Sequence, residues 1–268
     1  YSSTMLLFPA GFLHGFFFTT ACSMHNLFSS EGSMSIGKIY FYEMSGTIIG
    51  GILVYYLFIP FLNSFDTSAI LALISTFFCL FVTYPVKTKT EFAIFACTII
   101  VFTLSAFSLL FKYTEKLQLS SIKKQWGNEN VVSYKNSYYQ NIVVSERENQ
   151  YAFFSDGIPV MTTPIPDIIF VEEFVHFTML SHEHPENILV LGKGAGGIIN
   201  EILKYRSVKK VDYVEIDPLI LKTIQQFPTL LTRNELNNPL VSLHYIDGKT
   251  FSKKTTTQYD IVFLGASS

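Results

Sequence analysis

Charge is spread so unevenly along this chain that it divides the molecule before any other feature is read. Only seven charged residues, Glu31, Lys38, Glu43, Asp66, Lys87, Lys89 and Glu91, precede Lys112. The rest of the 19 Lys and Arg and the 21 Asp and Glu lie from Lys112 onward. A helix in water keeps a polar face, and the first stretch has none to offer. It contains four apolar runs, roughly Met5 to Phe28, Ile39 to Leu62, Ser68 to Val86 and Phe92 to Phe111. Each is close to the ~20 helical residues that cross a hydrocarbon core. Residues 1–112 are therefore expected to be a membrane α-helical bundle in contact with lipid. Lys112, Lys116, Lys123 and Lys124 follow the fourth run, which favours a cytoplasmic side for what comes next. Gly46 and Gly50 have the spacing that lets two helices approach closely, and they predict a packed face. Glu43 near the start of that run reads either as reaching the interface or as a functional intramembrane carboxylate.

Several classes are disfavoured. The net charge is −2 with no basic stripe, so nucleic acid is not an expected partner. Cys22, Cys79 and Cys97 stand in apolar runs without metal-ligand spacing, and none of the six His has a partner spacing for a metal. The chain starts inside an apolar run, without Met, and stops just after a fourth strand of its second half. Both ends read as cut from a longer protein.

After a linker expected over 113–130, the pattern changes. Residues 131–163 alternate in short runs, VVSY, QNIVVS, YAFF and IPVM, with Asp156-Gly157 as a hairpin signal, and predict a small antiparallel β unit. Residues 164–268 read as helix over Ile168 to Leu180, then strand NILVLG, loop GKGAGG and a helix to about Tyr205. Strands VDYVEID, VSLHYID and YDIVFLG follow, with a helix opened by Pro218. Strands alternating with helices imply a parallel, doubly wound Rossmann-like sheet. Such sheets bind at the carboxyl ends of their strands. The loop glycines Gly192, Gly194 and Gly196 allow backbone to approach a ligand there. Glu215 and Asp247, each expected at a strand end, can accept from a ribose and from an adenine amino group.

SYYQNIVV, the Asp-Gly hairpin, SHEHPENILVLGKGAGG, VKKVDYVEIDP, IDG and YDIVFLG, in this order and spacing, resemble the spermidine synthases. The membrane half looks like the helices fused to bacterial spermidine-synthase-like domains, which implies a bacterial inner-membrane protein. The resemblance implies that the Rossmann-like sheet is of the S-adenosyl-dependent methyltransferase type. It also implies decarboxylated S-adenosylmethionine, or S-adenosylmethionine, as co-substrate, no metal, and aminopropyl transfer to an amine. Nucleoside-side positions of the family are kept as Gln140, Glu215, Asp247 and Gly248. Amine-side positions differ: the loop Asp is Ala195, the Tyr of the DExxY motif is Phe170 and its neighbour is Val171. The catalytic Asp is Gly265, and the second Asp of that motif is Ser268. Glu172 matches an acidic position and Asp167 lies near another, so these two are the candidate replacement acids. Three readings stay open: an aminopropyltransferase-like enzyme, an S-adenosylmethionine-dependent methyltransferase, and a non-catalytic nucleotide-sensing or transport-linked membrane protein. Expected partners are membrane lipid, the nucleotide and a polyamine, with room for a homo-oligomer.

Overall fold

The computed structural model describes every residue except Tyr1, 29–33, Pro85, Asn128 and 266–268. The chain divides into two compact units, Tyr1–Phe61 and Leu62–Ser268. In the first, α1 (Ser2–Phe28) packs on α2 (Met34–Leu53), which runs through a π-helical turn at Val54–Phe58 into α3 (Ile59–Phe61). That wider turn falls just before Pro60, whose ring would meet the Tyr56 carbonyl in a regular helix. The expected tight glycine face is not found. A methyl group at Gly46, Gly50 or Gly51 would meet no described atom within 4 Å. Glu43 instead meets His14 across the two helices, Oε1 to Nε2 at 2.8 Å.

The second unit opens with α4 (Ser64–Thr83) and α5 (Lys89–Leu110), which form a hairpin. Both begin earlier than their apolar runs because polar caps start them. The Asn63 side chain accepts from the Asp66 N–H, and Thr88 and Glu91 form a capping box. Four helical stretches, Leu7–His25, Ile36–Phe61, Ser64–Thr83 and Lys89–Leu110, are long and apolar enough to cross a membrane. Their apolar side chains stand largely uncovered by protein: Phe81 and Val82 are each 80% exposed. Their hydroxyls turn inward, as Thr47 does onto Glu43 O and Thr103 onto Ile99 O, so few polar groups are presented outward. The stretch 113–130, expected as a linker, carries helix α6 (Tyr113–Trp126), which packs on α4, α5 and the first strand. Lys112, in the left-handed region, separates it from α5.

Four strands then form an antiparallel meander, β1 (Val131–Asn136), β2 (Asn141–Arg147), β3 (Gln150–Ser155) and β4 (Ile158–Thr163), paired in that order. The Asp156-Gly157 turn has positive φ at both residues (50° and 81°), as a two-residue hairpin requires. Pro159 is tolerated because β4 is an edge strand, and the register shifts beside it. Interior strand β2 buries Ile142, Val143 and Val144 consecutively.

After α7 (Ile168–Met179), the parallel sheet comprises β5 (Asn187–Leu191), β6 (Lys210–Val214), β7 (Val241–His244) and β8 (Ile261–Leu264) in the order β7-β6-β5-β8. Helices α8 (Ile198–Ile202), α9 (Pro218–Gln226), α10 (Leu230–Leu236) and α11 (Gly248–Lys254) connect them. Ile188, Leu189 and Val190 on interior strand β5 are all at most 3% exposed, whereas edge strand β8 buries only Ile261 and Phe263. The chain leaves β5 in one direction for β6 and β7, then returns to its other side as β8. The crevice between the ends of β5 and β8 is therefore the switch point, where such sheets take ligands.

Phe263 is 1% exposed and lies edge-on to Phe174 at 5.5 Å between ring centroids. Phe263→Ala should lower stability by about 3–5 kcal/mol, the range for emptying an aromatic site in a core. Urea unfolding of the detergent-purified chain, followed at its single tryptophan, Trp126, measures this. A loss below about 1 kcal/mol would mean that β8 is not part of the cooperative core.

Candidate functional site

A cavity of about 520 Å³ opens at that switch point. The antiparallel unit supplies one wall through Gln140, Ser155 and Asp156. The ends of β5, β6 and β8 and the start of α11 supply the rest, including Gly192, Glu215, Gly265, Asp247 and Gly248. Residues that lie more than a hundred positions apart thus line one space. Ile216, Ile220 and Leu264 give it apolar surface.

Glu215 follows β6 and is buried. Its Oε2 accepts from the Lys193 N–H at 3.4 Å and the Tyr213 hydroxyl at 3.3 Å, and its Oε1 accepts from the Asp217 N–H at 3.4 Å. All three contacts are long, so the carboxylate keeps capacity for stronger donors such as a pair of hydroxyls. Burial pushes its pKa above the usual carboxylate value, against the pull of the Asp217 and Lys193 N–H groups.

Asp247 does not end a strand. β7 stops at His244, and Asp247 is the exposed N-cap of α11, accepting from the Thr250 N–H at 2.9 Å and the Thr250 hydroxyl at 3.0 Å. The Thr250 N–H holds its pKa below the ordinary aspartate value. Both of these contacts use Oδ2, and Asp247 lines the cavity.

Gln140 sits in the β1–β2 loop, and its amide is oriented from both ends. Nε2 donates to Asp217 Oδ2 at 2.9 Å, and Oε1 accepts from the Ser155 hydroxyl. Asp217 is 1% exposed and also caps α9 through the Leu219 N–H at 2.9 Å, ahead of Pro218 at the first helical position. Sequence reasoning passed over Asp217. Its signal was the Asp-Pro pair that opens a helix, which by itself says nothing about a partner far back in the chain.

The glycine loop divides by role. Gly192 lines the cavity; Gly194 and Gly196 do not. A Cβ on Gly194 would lie 2.8 Å from Val190 Cγ1 and 3.0 Å from the Tyr213 ring, so its bareness lets the loop lie on the sheet. Ala195 lines the cavity and is only 6% exposed. Lys193 lines it too. A Cβ on Gly265 would lie 2.2 Å from the Gly192 carbonyl oxygen, so the backbone leaves no space there for any side chain. Phe170 is 57% exposed and Val171 is buried against Gly197, while Ser268 lies outside the described residues.

Asp167 and Glu172 are not among the lining residues. Asp167 caps α7 through the Phe170 N–H at 3.2 Å, and Glu172 is exposed on that helix. The acid that the fold does bring to the cavity, besides Glu215 and Asp247, is Asp156 of the hairpin turn, whose Oδ1 accepts from the Asn141 N–H at 2.8 Å. Among the described residues no cluster of His, Cys, Asp and Glu could hold a metal ion.

Residues 168–267 match the family described as Spermine/spermidine synthase domain. The chain is 27% identical to the polyamine aminopropyltransferase of Oceanobacillus iheyensis over 234 residues, covering 86% of this chain and 45% of that one. A match of that length takes in apolar helices as well as the sheets. It is 30% identical to the Clostridium perfringens polyamine aminopropyltransferase over 156 residues, 58% of this chain and 53% of the other. The chain thus spans about half the length of these relatives. A solved spermidine synthase in complex with the transition state analogue AdoDATO is 25% identical, with a TM-score of 0.47 over 52% of this chain and 47% of that one. By its match over residues 168–267 and these relatives, the chain is similar to the spermidine synthase-like aminopropyltransferases.

Proposed function

We propose that this cavity receives the adenosyl part of decarboxylated S-adenosylmethionine in a membrane-anchored aminopropyltransferase-like protein. In this reading residues 1–112 anchor the chain in a bacterial inner membrane, and the sheets face the cytoplasm. The observation that carries it is the gathering of Gln140, Glu215 and Asp247, from three separate segments, round one cavity at the switch point. Glu215 accepts the ribose hydroxyls, and Asp247 offers its second carboxylate oxygen to the base amino group. The apolar surface of Ile216 and Leu264 suits a purine. In the reaction, the acceptor nitrogen attacks the carbon beside the sulfonium and the carbon–sulfur bond breaks. Methylthioadenosine leaves, and the new ammonium gives up a proton. The chain's contribution is to hold the two reactants together and to take that proton.

The acceptor side is reduced. Ala195 and Gly265 stand where the family has carboxylates, and Lys193 adds a cation to the lining. A diamine dication is disfavoured where buried charge lacks a counter-charge. Asp156 is the one lining acid not assigned to the nucleoside, and the acceptor amine is proposed to depend on it. A second reading, nucleoside binding without transfer, is favoured by Gly265 alone, because a base cannot be built at that position.

Three outcomes are expected. Calorimetry with methylthioadenosine should show Glu215→Ala weakening binding at least about tenfold, or ~1.4 kcal/mol, the scale of a charge-assisted hydrogen bond. Unchanged affinity would remove Glu215 from the site. Spermidine formation from putrescine and decarboxylated S-adenosylmethionine should fall about 10²–10⁴-fold below that of soluble relatives, the usual worth of a general base. A matching rate would refute the weakened acceptor side. Gly265→Asp should lower the thermal unfolding temperature rather than restore turnover, because its Cβ must displace the Gly192 carbonyl. A stable variant with raised turnover would show that the two loops can separate.

A further inference from the structure

Glu235 on α10 is 0% exposed and is left unused by the proposed reaction. Its Oε2 accepts from the Gly196 N–H at 2.8 Å, and its Oε1 accepts from the Gly197 N–H at 2.7 Å and the Asn200 N–H at 3.2 Å. All three donors belong to the glycine loop and the first turn of α8. The Ile199 N–H is also committed, to Gly194 O at 3.1 Å. In sheets that bind dinucleotides, N–H groups at this place cradle the diphosphate. Here they turn away from the cavity toward a carboxylate that the chain supplies itself.

We propose that Glu235 is a positioning and specificity residue: its carboxylate takes the place of a phosphate beneath the glycine loop, holds that loop in nucleoside-receiving shape, and leaves no donors for a diphosphate. This rests on the reading of the cavity as a nucleoside site and narrows it to nucleosides without phosphate, such as sulfonium or thioether nucleosides. Alternation of close packing supports it. The loop lies on Val190 and Tyr213 at Gly194 and on Met161 at Gly196, so a shift at Glu235 is passed directly to the cavity wall.

Burial raises the Glu235 pKa to about 7, against the pull of the Gly196, Gly197 and Asn200 N–H groups. Glu201 of α8 adds to the rise. Glu201 is itself paired with Lys204 at 2.6 Å and faces His176 of α7 at 3.5 Å. Of the other elements on α10, α9 carries Lys222, which is exposed, and β7 carries His244, which is bound to Asp212 at 2.8 Å. Arg233 on α10 itself is exposed. Because the folded value is raised, Glu235 costs no stability below the unfolded carboxylate range and costs progressively more as pH rises to about 7. The ionised form, the stronger acceptor for these three N–H groups, predominates only above that value. Because the three N–H bonds lower the pKa of the buried carboxyl, ionisation favours the held loop over one lifted from a still-buried Glu235. The loop is therefore held best on the alkaline side, even while the buried charge lowers the stability of the whole fold.

Amide hydrogen exchange of residues 192–200 in the full chain, without ligand, tests the positioning role between about pH 5.5 and 8.5. Loop protection, corrected for intrinsic rates, should rise about tenfold across that window in the wild type and stay flat in Glu235→Gln. Calorimetry on the same samples should show methylthioadenosine affinity following the protection, and adenosine diphosphate binding far more weakly. Wild-type protection that is independent of pH, or Glu235→Gln with the wild-type profile, overturns the positioning role. Adenosine diphosphate binding as tightly as methylthioadenosine overturns the specificity role. Glu235-dependent protection without any methylthioadenosine binding supports positioning and refutes the nucleoside reading of the cavity instead. The wild-type pH profile decides the matter even if the variant fails to fold.

Discussion

Parallel pairing of β5 with both β6 and β8 is the constraint from which the site follows. Interior strand β5 buries side chains on both faces, and its last residues bond on both sides: Gly265 N–H to Leu191 O at 2.9 Å and Gly192 N–H to Val214 O at 2.8 Å. The loops that leave β5, β6 and β8 are thereby brought side by side. Hydrogen bonds of a ladder place backbone to within a few tenths of an ångström. That is why Gly192 and Gly265 come so close that neither strand end can carry a larger residue at position 265.

Side chains at the cavity and beneath its glycine loop are held by polar partners as well as by packing. Asp217 orients Gln140 and caps α9 with the same carboxylate; Thr250 holds one oxygen of Asp247; Glu235 holds the glycine loop. Buried charge is expensive, and Asp217 and Glu235 offset the expense with bonds to N–H groups.

The apolar helices obey the opposite rule. They leave large hydrophobic side chains uncovered and return their hydroxyls to their own carbonyls, a surface suited to hydrocarbon and costly in water. Within the first unit the polar contact between α1 and α2 is the His14–Glu43 pair, found where a glycine face had been expected to pack.

Most of the element types, and the order of the strands, were legible in the sequence by itself. Charge segregation marked the lipid-suited helices, alternation with Asp-Gly marked the hairpins, and strand–loop–helix repetition marked the parallel sheet. Each of these is a local pattern, set by periodicity and turn chemistry over a few residues. It also marked Gln140, Glu215 and Asp247, which the fold brings to one cavity. Tertiary structure alone decided what those residues touch. It made Asp247 a helix cap, drew Asp156 to the cavity while leaving Asp167 and Glu172 outside it, and set Glu235 beneath a loop 38 residues away in sequence. It also turned α6 from an expected linker into a packed helix. Such contacts depend on strand order and on which faces meet, and a linear pattern carries neither, because the pairing of β5 with β8 is made only when the chain returns.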